Sequence, residues 1–253
     1  MTAGRASNID DVSSQAARSK RRALAEIAIA YGLILLVIWT PRPLQRWLWL
    51  VAVGALASMT CLSITPRWRG ELRAMGLRRE NFLRSLWIVG AALALAGIAV
   101  AVAIHFRTLQ LPEPPATDPG IIPFIMTYWG YAIWTFVQQF LLQGFFLLRL
   151  LRLLPGPRTS AFAAAGLFAL AHLPNPILAP ATLIWGFASC MLFLRYRNLY
   201  PLAMAHAIFG ITIAIAVPGP VVRNMRVGLG YLRYGHMHRP HNLLEPQRPD
   251  SIH

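Results

Sequence analysis

Long stretches of apolar residues, almost free of charge, constrain the fold of this chain more than any other feature. Several such stretches have 17 or more residues, among them 85–106 and 200–217. A bilayer core about 30 Å thick is crossed by a helix of about 20 apolar residues. The stretches are continuous, whereas the strands of a membrane barrel alternate between apolar and polar residues. The sequence therefore predicts an all-α fold, a polytopic bundle of transmembrane helices.

Composition supports a membrane protein and excludes several other classes. Of the 253 residues, 56% are hydrophobic and only 13% are charged, whereas a soluble domain has about 25% charged residues. This excludes a soluble enzyme, a secreted disulfide scaffold and a disordered regulator. The net charge of +15 comes from arginines that lie between the apolar stretches, as topology determinants and lipid anchors do. We therefore expect membrane lipids as partners and no nucleic acid.

The order of apolar stretches and arginines predicts the topology. We expect about seven spans in the inner (cytoplasmic) membrane, at about 23–40, 44–64, 85–106, 121–154, 159–173, 177–196 and 200–217. The predicted divisions are a basic cytoplasmic tail (1–22), N-terminal transmembrane helices and loops (23–120), a membrane core (121–217) and a basic, polar C-terminal tail (218–253). With the N-terminus in the cytoplasm, seven spans place the C-terminal tail on the outer side of the membrane. This conflicts with its arginines, which favour the cytoplasmic side. Either one span is re-entrant or this tail folds back along the membrane surface.

A small set of polar side chains lies within the predicted spans of the membrane core. Such residues are costly in a bilayer and indicate functional sites. They are Gln138, Gln139, Gln143, His172 and His206, and Asn175 follows three residues after His172, between two spans. Gln139 and Gln143 are four residues apart and so share one helix face. We expect the glutamines and the two histidines to share one polar cavity; the alternative is that each only bridges two helices through a hydrogen bond.

Carboxylates are missing from the predicted membrane interior. Of nine acidic residues, only Glu26 falls within a span, near its end. Activation of water inside a membrane normally needs a carboxylate or a metal that carboxylates help to bind. No nucleotide loop, flavin fingerprint or metal-ligand spacing is present, so we predict no cofactor and no metal site.

Three short motifs resemble those of the CAAX-protease and bacteriocin-processing (CPBP) family of intramembrane peptidases, also called the Abi family. That family's Glu-Glu-x-x-x-Arg-Gly motif aligns with residues 138–144, where Gln138, Gln139 and Gln143 replace both Glu and the Arg. Its Phe-x-x-x-His motif matches Phe168 to His172. Its His-x-x-x-Asn motif keeps His206 and has Gly in place of Asn. The resemblance, over about 121–217, implies a CPBP-like membrane core.

The resemblance also assigns roles to these residues. It implies a catalytic site at His172, His206, Gln138, Gln139 and Gln143, with Phe168 and Asn175 as substrate-binding residues. In the family the first Glu is understood to activate the attacking water. Because this chain lacks that Glu, the resemblance implies the family's fold but does not imply its peptidase activity. Without that carboxylate, a histidine would be a weaker activator of water.

Three functions follow as hypotheses. In each, the cavity of a divergent family member binds or processes a membrane-embedded substrate, either a membrane-anchored peptide or an isoprenoid. The protein is an active intramembrane endopeptidase, a pseudo-protease that binds or regulates without hydrolysis, or an enzyme that acts on a lipid or isoprenoid.

Overall fold

The computed structural model describes the backbone of residues 3–41, 47, 50, 53–55, 72–110 and 121–237. Within these ranges it describes the side chains of all residues except 3–13, 121–127 and 235–237. The described residues form helices and no strands. The helices are α1 (Ala3–Ile38), α2 (Phe82–Ser85), α3 (Trp87–His105), α4 (Ile121–Gln139), a π-helix (Phe140–Leu147), α5 (Leu148–Leu153), α6 (Pro157–Leu170), α7 (Leu178–Tyr196), α8 (Tyr200–Ala216), α9 (Gly219–Val222) and α10 (Gly228–Met237).

The helices confirm the prediction of an all-α membrane bundle. Three helical stretches are long and apolar enough to cross a membrane. They are Phe82–His105 (α2 with α3), Tyr128–Leu153 (most of α4, the π-helix and α5) and Leu178–Tyr196 (α7). Their outward faces carry large apolar side chains such as Ile98 and Ile184, which are 62% and 72% exposed. A bilayer covers such surfaces at no cost. Most of the predicted span at 44–64 lies outside the described residues, so the count of seven spans stays a prediction.

The long apolar run predicted at 121–154 forms a helical rod with a π-helical segment in its middle. The π-helix Phe140–Leu147 joins α4 to α5 without a break. One extra residue in a helical turn is unfavourable by itself, and such segments occur frequently at functional sites. Leu142, Phe145 and Leu147 of this segment are at most 1% exposed and form part of the core. Packing on several sides therefore holds the segment in place.

Small residues let α6 and α7 pack closely as a hairpin. Ala161, Ala164 and Ala165 on α6 are fully buried. A Cβ atom added to Gly186 on α7 would lie 3.2 Å from the Cα atom of Ala165. Helices in membranes associate through such close backbone approach, because apolar bulk alone gives no driving force against lipid. The loop of this hairpin carries His172 and Asn175.

The turn between α7 and α8 is tied to the loop that precedes α2. The Asn198 Nδ2 group donates hydrogen bonds to the carbonyls of Arg78 and Glu80, at 2.8 and 2.9 Å. The Leu199 amide donates to the Gly76 carbonyl at 3.0 Å. Gly76 has φ +92° and packs against the ring of Phe193, a position open only to glycine. These bonds satisfy backbone groups that lipid could not.

The start of the C-terminal tail folds back against the bundle. After α8 the chain turns through α9, and the Gly228 amide donates to the Leu173 carbonyl in the α6–α7 loop at 2.8 Å. Gly228 has φ +54° and lies against Ile38 of α1. Of the two explanations that the sequence left open, this packing favours a folded-back tail for residues 218–237.

Candidate functional site

A cavity of about 1130 Å³ opens between the helices of the bundle. Residues of α1, α3, α4, the π-helix, α6, α7, α8 and the folded-back segment line it. The lining is mainly aliphatic and aromatic. Its polar side chains include Gln138, His172 and His206, with Arg226 and Arg233 from the C-terminal segment. The cavity is therefore an apolar chamber with a few polar groups, the usual form of a small-molecule site.

Phe168 lies between the two histidines of the cavity. Its ring centroid is 4.7 Å from that of His172 and 5.7 Å from that of His206, both in edge-to-face geometry. His172 follows α6 and is half-buried, whereas His206 lies within α8 and is 6% exposed. These three residues come from two separate parts of the chain, the end of α6 with its following turn and α8, and the fold brings them together at one wall.

The two imidazoles differ in their hydrogen bonds. The Nδ1 atom of His172 lies 2.7 Å from the Phe168 carbonyl. A carbonyl only accepts, so Nδ1 donates and the Nε2 atom of neutral His172 keeps its lone pair. The Nδ1 atom of His206 and the indole Nε1 of nearby Trp185 are both buried without a hydrogen-bond partner among the described residues. One wall thus offers a free lone pair and polar atoms that still need partners.

The glutamines separate into one cavity residue and one buried pair. Gln138 lines the cavity, whereas Gln139 and Gln143 are outside its lining and 0% exposed. The Gln143 amide donates to the Gln139 carbonyl oxygen and, at 3.0 Å, to the Ser189 hydroxyl. The predicted stacking of Gln139 and Gln143 on one helix face is present. The structure does not bring this pair to the cavity surface that carries His172 and His206. The two glutamines lie on the rod and are buried where it packs against Ser189 of α7.

Asn175 lies outside the lining, and all its bonds are to the backbone. Its Nδ2 group donates to the carbonyls of Val222 and Arg226, at 2.8 and 3.1 Å. Its Oδ1 atom accepts from the amides of Ile177 and Leu178, at 3.1 and 3.0 Å. Sequence analysis assigned Asn175 to substrate binding. In the structure its side chain bonds to the backbone at the start of α7 and fastens the C-terminal segment. Phe168, the other predicted substrate-binding residue, lines the cavity.

Tyr131 is a cavity residue that sequence reasoning missed. It lies on α4, and a Cβ atom added to Gly210 on α8 would overlap its hydroxyl oxygen. Gly210 is the position where the CPBP motif has Asn, so the Tyr131 phenol occupies the space of that side chain. The available signal was spacing, since Tyr131 is seven residues before Gln138 and so shares its helix face.

Comparison with protein families agrees with this arrangement. A family model described as type II CAAX prenyl endopeptidase Rce1-like matches residues 119–212. This match covers less than half of the chain, and it supports membership of the CAAX protease family. No curated protein and no solved structure matches it. Together with its apolar helices, the match makes this an integral membrane CAAX protease-like protein.

The CAAX protease match covers one part of the cavity. It includes Gln138, Phe168, His172, His206 and the helices that carry them. The walls from α1, α3 and the C-terminal segment lie outside it. No Asp or Glu is among the described residues that line the cavity, and no three His, Cys, Asp or Glu among the described residues are grouped to hold a metal.

Proposed function

We propose that this CAAX protease-like protein holds the apolar chain of a membrane-embedded substrate in its cavity, and that it does not hydrolyse peptide bonds through a carboxylate-activated water. One observation carries the proposal: a large apolar cavity keeps both histidines at its wall, and its described lining has no carboxylate. It is the second of the three hypotheses above, a binding member of a protease family.

The cavity suits a long apolar chain with a polar end. Its volume of about 1130 Å³ exceeds the usual range for small-molecule sites, roughly 300–1,000 Å³. Aromatic rings such as Trp134, Phe168 and Trp185 line it, and they supply large apolar contact area. The matched family is described as a prenyl endopeptidase, so a prenylated peptide is the substrate class that we propose.

The polar groups at the wall are poorly suited to activate water. A glutamine amide has no basic lone pair near neutral pH. His172 has a free Nε2 atom, but a backbone carbonyl orients its ring where a hydrolase would use a carboxylate. A carbonyl carries no full charge to stabilise the imidazolium that forms during proton abstraction. Both facts support binding over hydrolysis.

The third hypothesis, an enzyme that acts on a lipid or isoprenoid, has one observation in its favour. His206 Nδ1 and Trp185 Nε1 lack partners among the described residues. Groups of this kind can hydrogen-bond to the polar end of a bound chain. Such an enzyme would change the ligand, whereas our proposal predicts that bound ligand is recovered intact.

Binding is tested with the full chain in nanodiscs and a fluorescent farnesylated peptide. We expect saturable binding that the same peptide without its prenyl group does not show. Ala96→Trp places bulk in the cavity from α3 and should weaken binding at least 10-fold. Ala94→Trp is the matched control, because Ala94 lies on the same helix, is exposed and is not part of the lining. Equal effects of the two variants would contradict a ligand in this cavity.

Hydrolysis is tested with the same peptide and mass spectrometry. We expect the peptide to stay intact over many hours, at the level of a His172→Ala, His206→Ala double variant. Cleavage by the native chain that the double variant lacks would show that the two histidines suffice for hydrolysis. That result would refute the proposed loss of activity and restore the endopeptidase hypothesis.

A further inference from the structure

A second pocket, of about 460 Å³, shares no described lining residue with the large cavity. Residues of α1, the segment 74–75, the π-helix and α5 line it. We call it the arginine pocket, because its lining includes Arg18, Arg22, Arg149 and Arg152. None of these arginines belongs to the motifs that carry the family resemblance.

Charge in the arginine pocket is unbalanced. Among the described residues that line it, Glu26 is the only acidic one. The Glu26 carboxylate accepts from Arg149 at 2.6 Å and from Arg22 at 2.8 Å. In this described lining, four guanidinium groups against one carboxylate leave a formal charge of +3. Arg18 and Arg152 form no hydrogen bond or ion pair with the described part of the chain, so they are available to an anion.

The fold fixes part of this charge in place. Arg149 is 5% exposed, stacks over the Phe145 ring at 3.5 Å and donates to the Phe145 carbonyl at 3.2 Å. A buried guanidinium held from two sides does not swing out to find a counter-ion. The pocket is therefore partly preorganised, with one buried cation, Arg149, and exposed cations at Arg18 and Arg152.

The position of the pocket points to a lipid headgroup. Arg149 and Arg152 lie in the last turns of the span Tyr128–Leu153, at the end of the apolar segment. This is the depth at which lipid phosphates lie, and basic pockets between membrane helices bind anionic headgroups. Arginine favours phosphate because its planar fork donates two parallel hydrogen bonds. We propose that the arginine pocket binds the phosphate of an anionic phospholipid, whose acyl chains lie along the apolar surface of the bundle.

The test measures binding of a short-chain phosphatidylglycerol to the full chain in detergent by native mass spectrometry, with phosphatidylcholine and inorganic phosphate as further probes. We expect preferential binding of phosphatidylglycerol and an affinity loss of roughly 10- to 30-fold in the Arg18→Gln, Arg152→Gln double variant. Arg84→Gln with Arg158→Gln is the matched control, because it removes two exposed arginines outside the pocket. This control should bind as the native chain does.

Other outcomes overturn the proposal. Equal losses in the two double variants would show attraction by overall charge and no specific site. Inorganic phosphate that competes at the same concentration as the lipid would show a site for free phosphate. A third variant, Ser19→Phe, fills the pocket rim without changing charge and should also weaken binding. Unchanged lipid binding in Ser19→Phe would place the headgroup elsewhere.

Discussion

Replacement of Asn175 by Ala tests whether this residue builds the site or binds the ligand. Its side chain is 0% exposed and makes four hydrogen bonds, two to the start of α7 and two to the C-terminal segment. At about 0.6–1 kcal/mol for each bond, Asn175→Ala should lower the free energy of unfolding by about 2–4 kcal/mol. For a chain of this length, that corresponds to a melting temperature lower by roughly 5–15 °C.

The same substitution should release the C-terminal segment. Asn175 donates to the carbonyls of Val222 and Arg226. Its loss leaves two hydrogen bonds that tie the segment to the bundle, from the Gly219 amide to Gln110 and from the Gly228 amide to Leu173. Limited digestion with trypsin measures this directly, because Arg223 and Arg226 are cleavage sites within the segment. We expect cleavage there to become several-fold faster, as intact-mass analysis would show.

Asn198→Ala is the matched control. Asn198 is also a buried asparagine, 1% exposed, and bonds to the backbone through both ends of its amide, but in the turn between α7 and α8. It should lower the melting temperature and leave cleavage after Arg223 unchanged. A different result refutes the reasoning: if Asn175→Ala loses ligand binding with normal stability and normal trypsin resistance, Asn175 is a substrate-binding residue, as the sequence predicted.

Two further predictions concern buried contacts. Glu26→Gln removes the carboxylate partner of buried Arg149 and should lower the free energy of unfolding by about 3 kcal/mol, as measured by thermal unfolding. The control Arg22→Gln changes an exposed ion pair and should cost about 0.2–1 kcal/mol. Equal losses in the two variants would contradict a structural role of the buried pair. Gly210→Asn introduces a side chain where the Tyr131 hydroxyl lies and should cost about 1–3 kcal/mol. Adding Tyr131→Ala to Gly210→Asn should raise the free energy of unfolding again. If the double variant is no more stable than Gly210→Asn alone, the two side chains do not compete for space.

The sequence by itself determined the membrane bundle and the helices that carry the site. Apolar stretches without charge have no stable alternative to a helix in a bilayer, because every backbone group must be paired internally. Each described helix of the membrane core therefore lies within or close to a predicted span. The stacking of Gln139 and Gln143 was predictable for a similar reason, since helical periodicity is a local property.

Only the tertiary structure decided which polar residues meet. Periodicity fixes the angle between two side chains on one helix, but the distance between helices depends on packing, as at Ala165 and Gly186. Packing joined His172 and His206 through Phe168 and enclosed Gln139 and Gln143 behind the wall. It also turned Asn175 towards the backbone of a segment 47 residues away along the chain. A polar side chain in a membrane needs a hydrogen-bond partner. The amino-acid sequence does not show whether that partner is a ligand or another part of the protein.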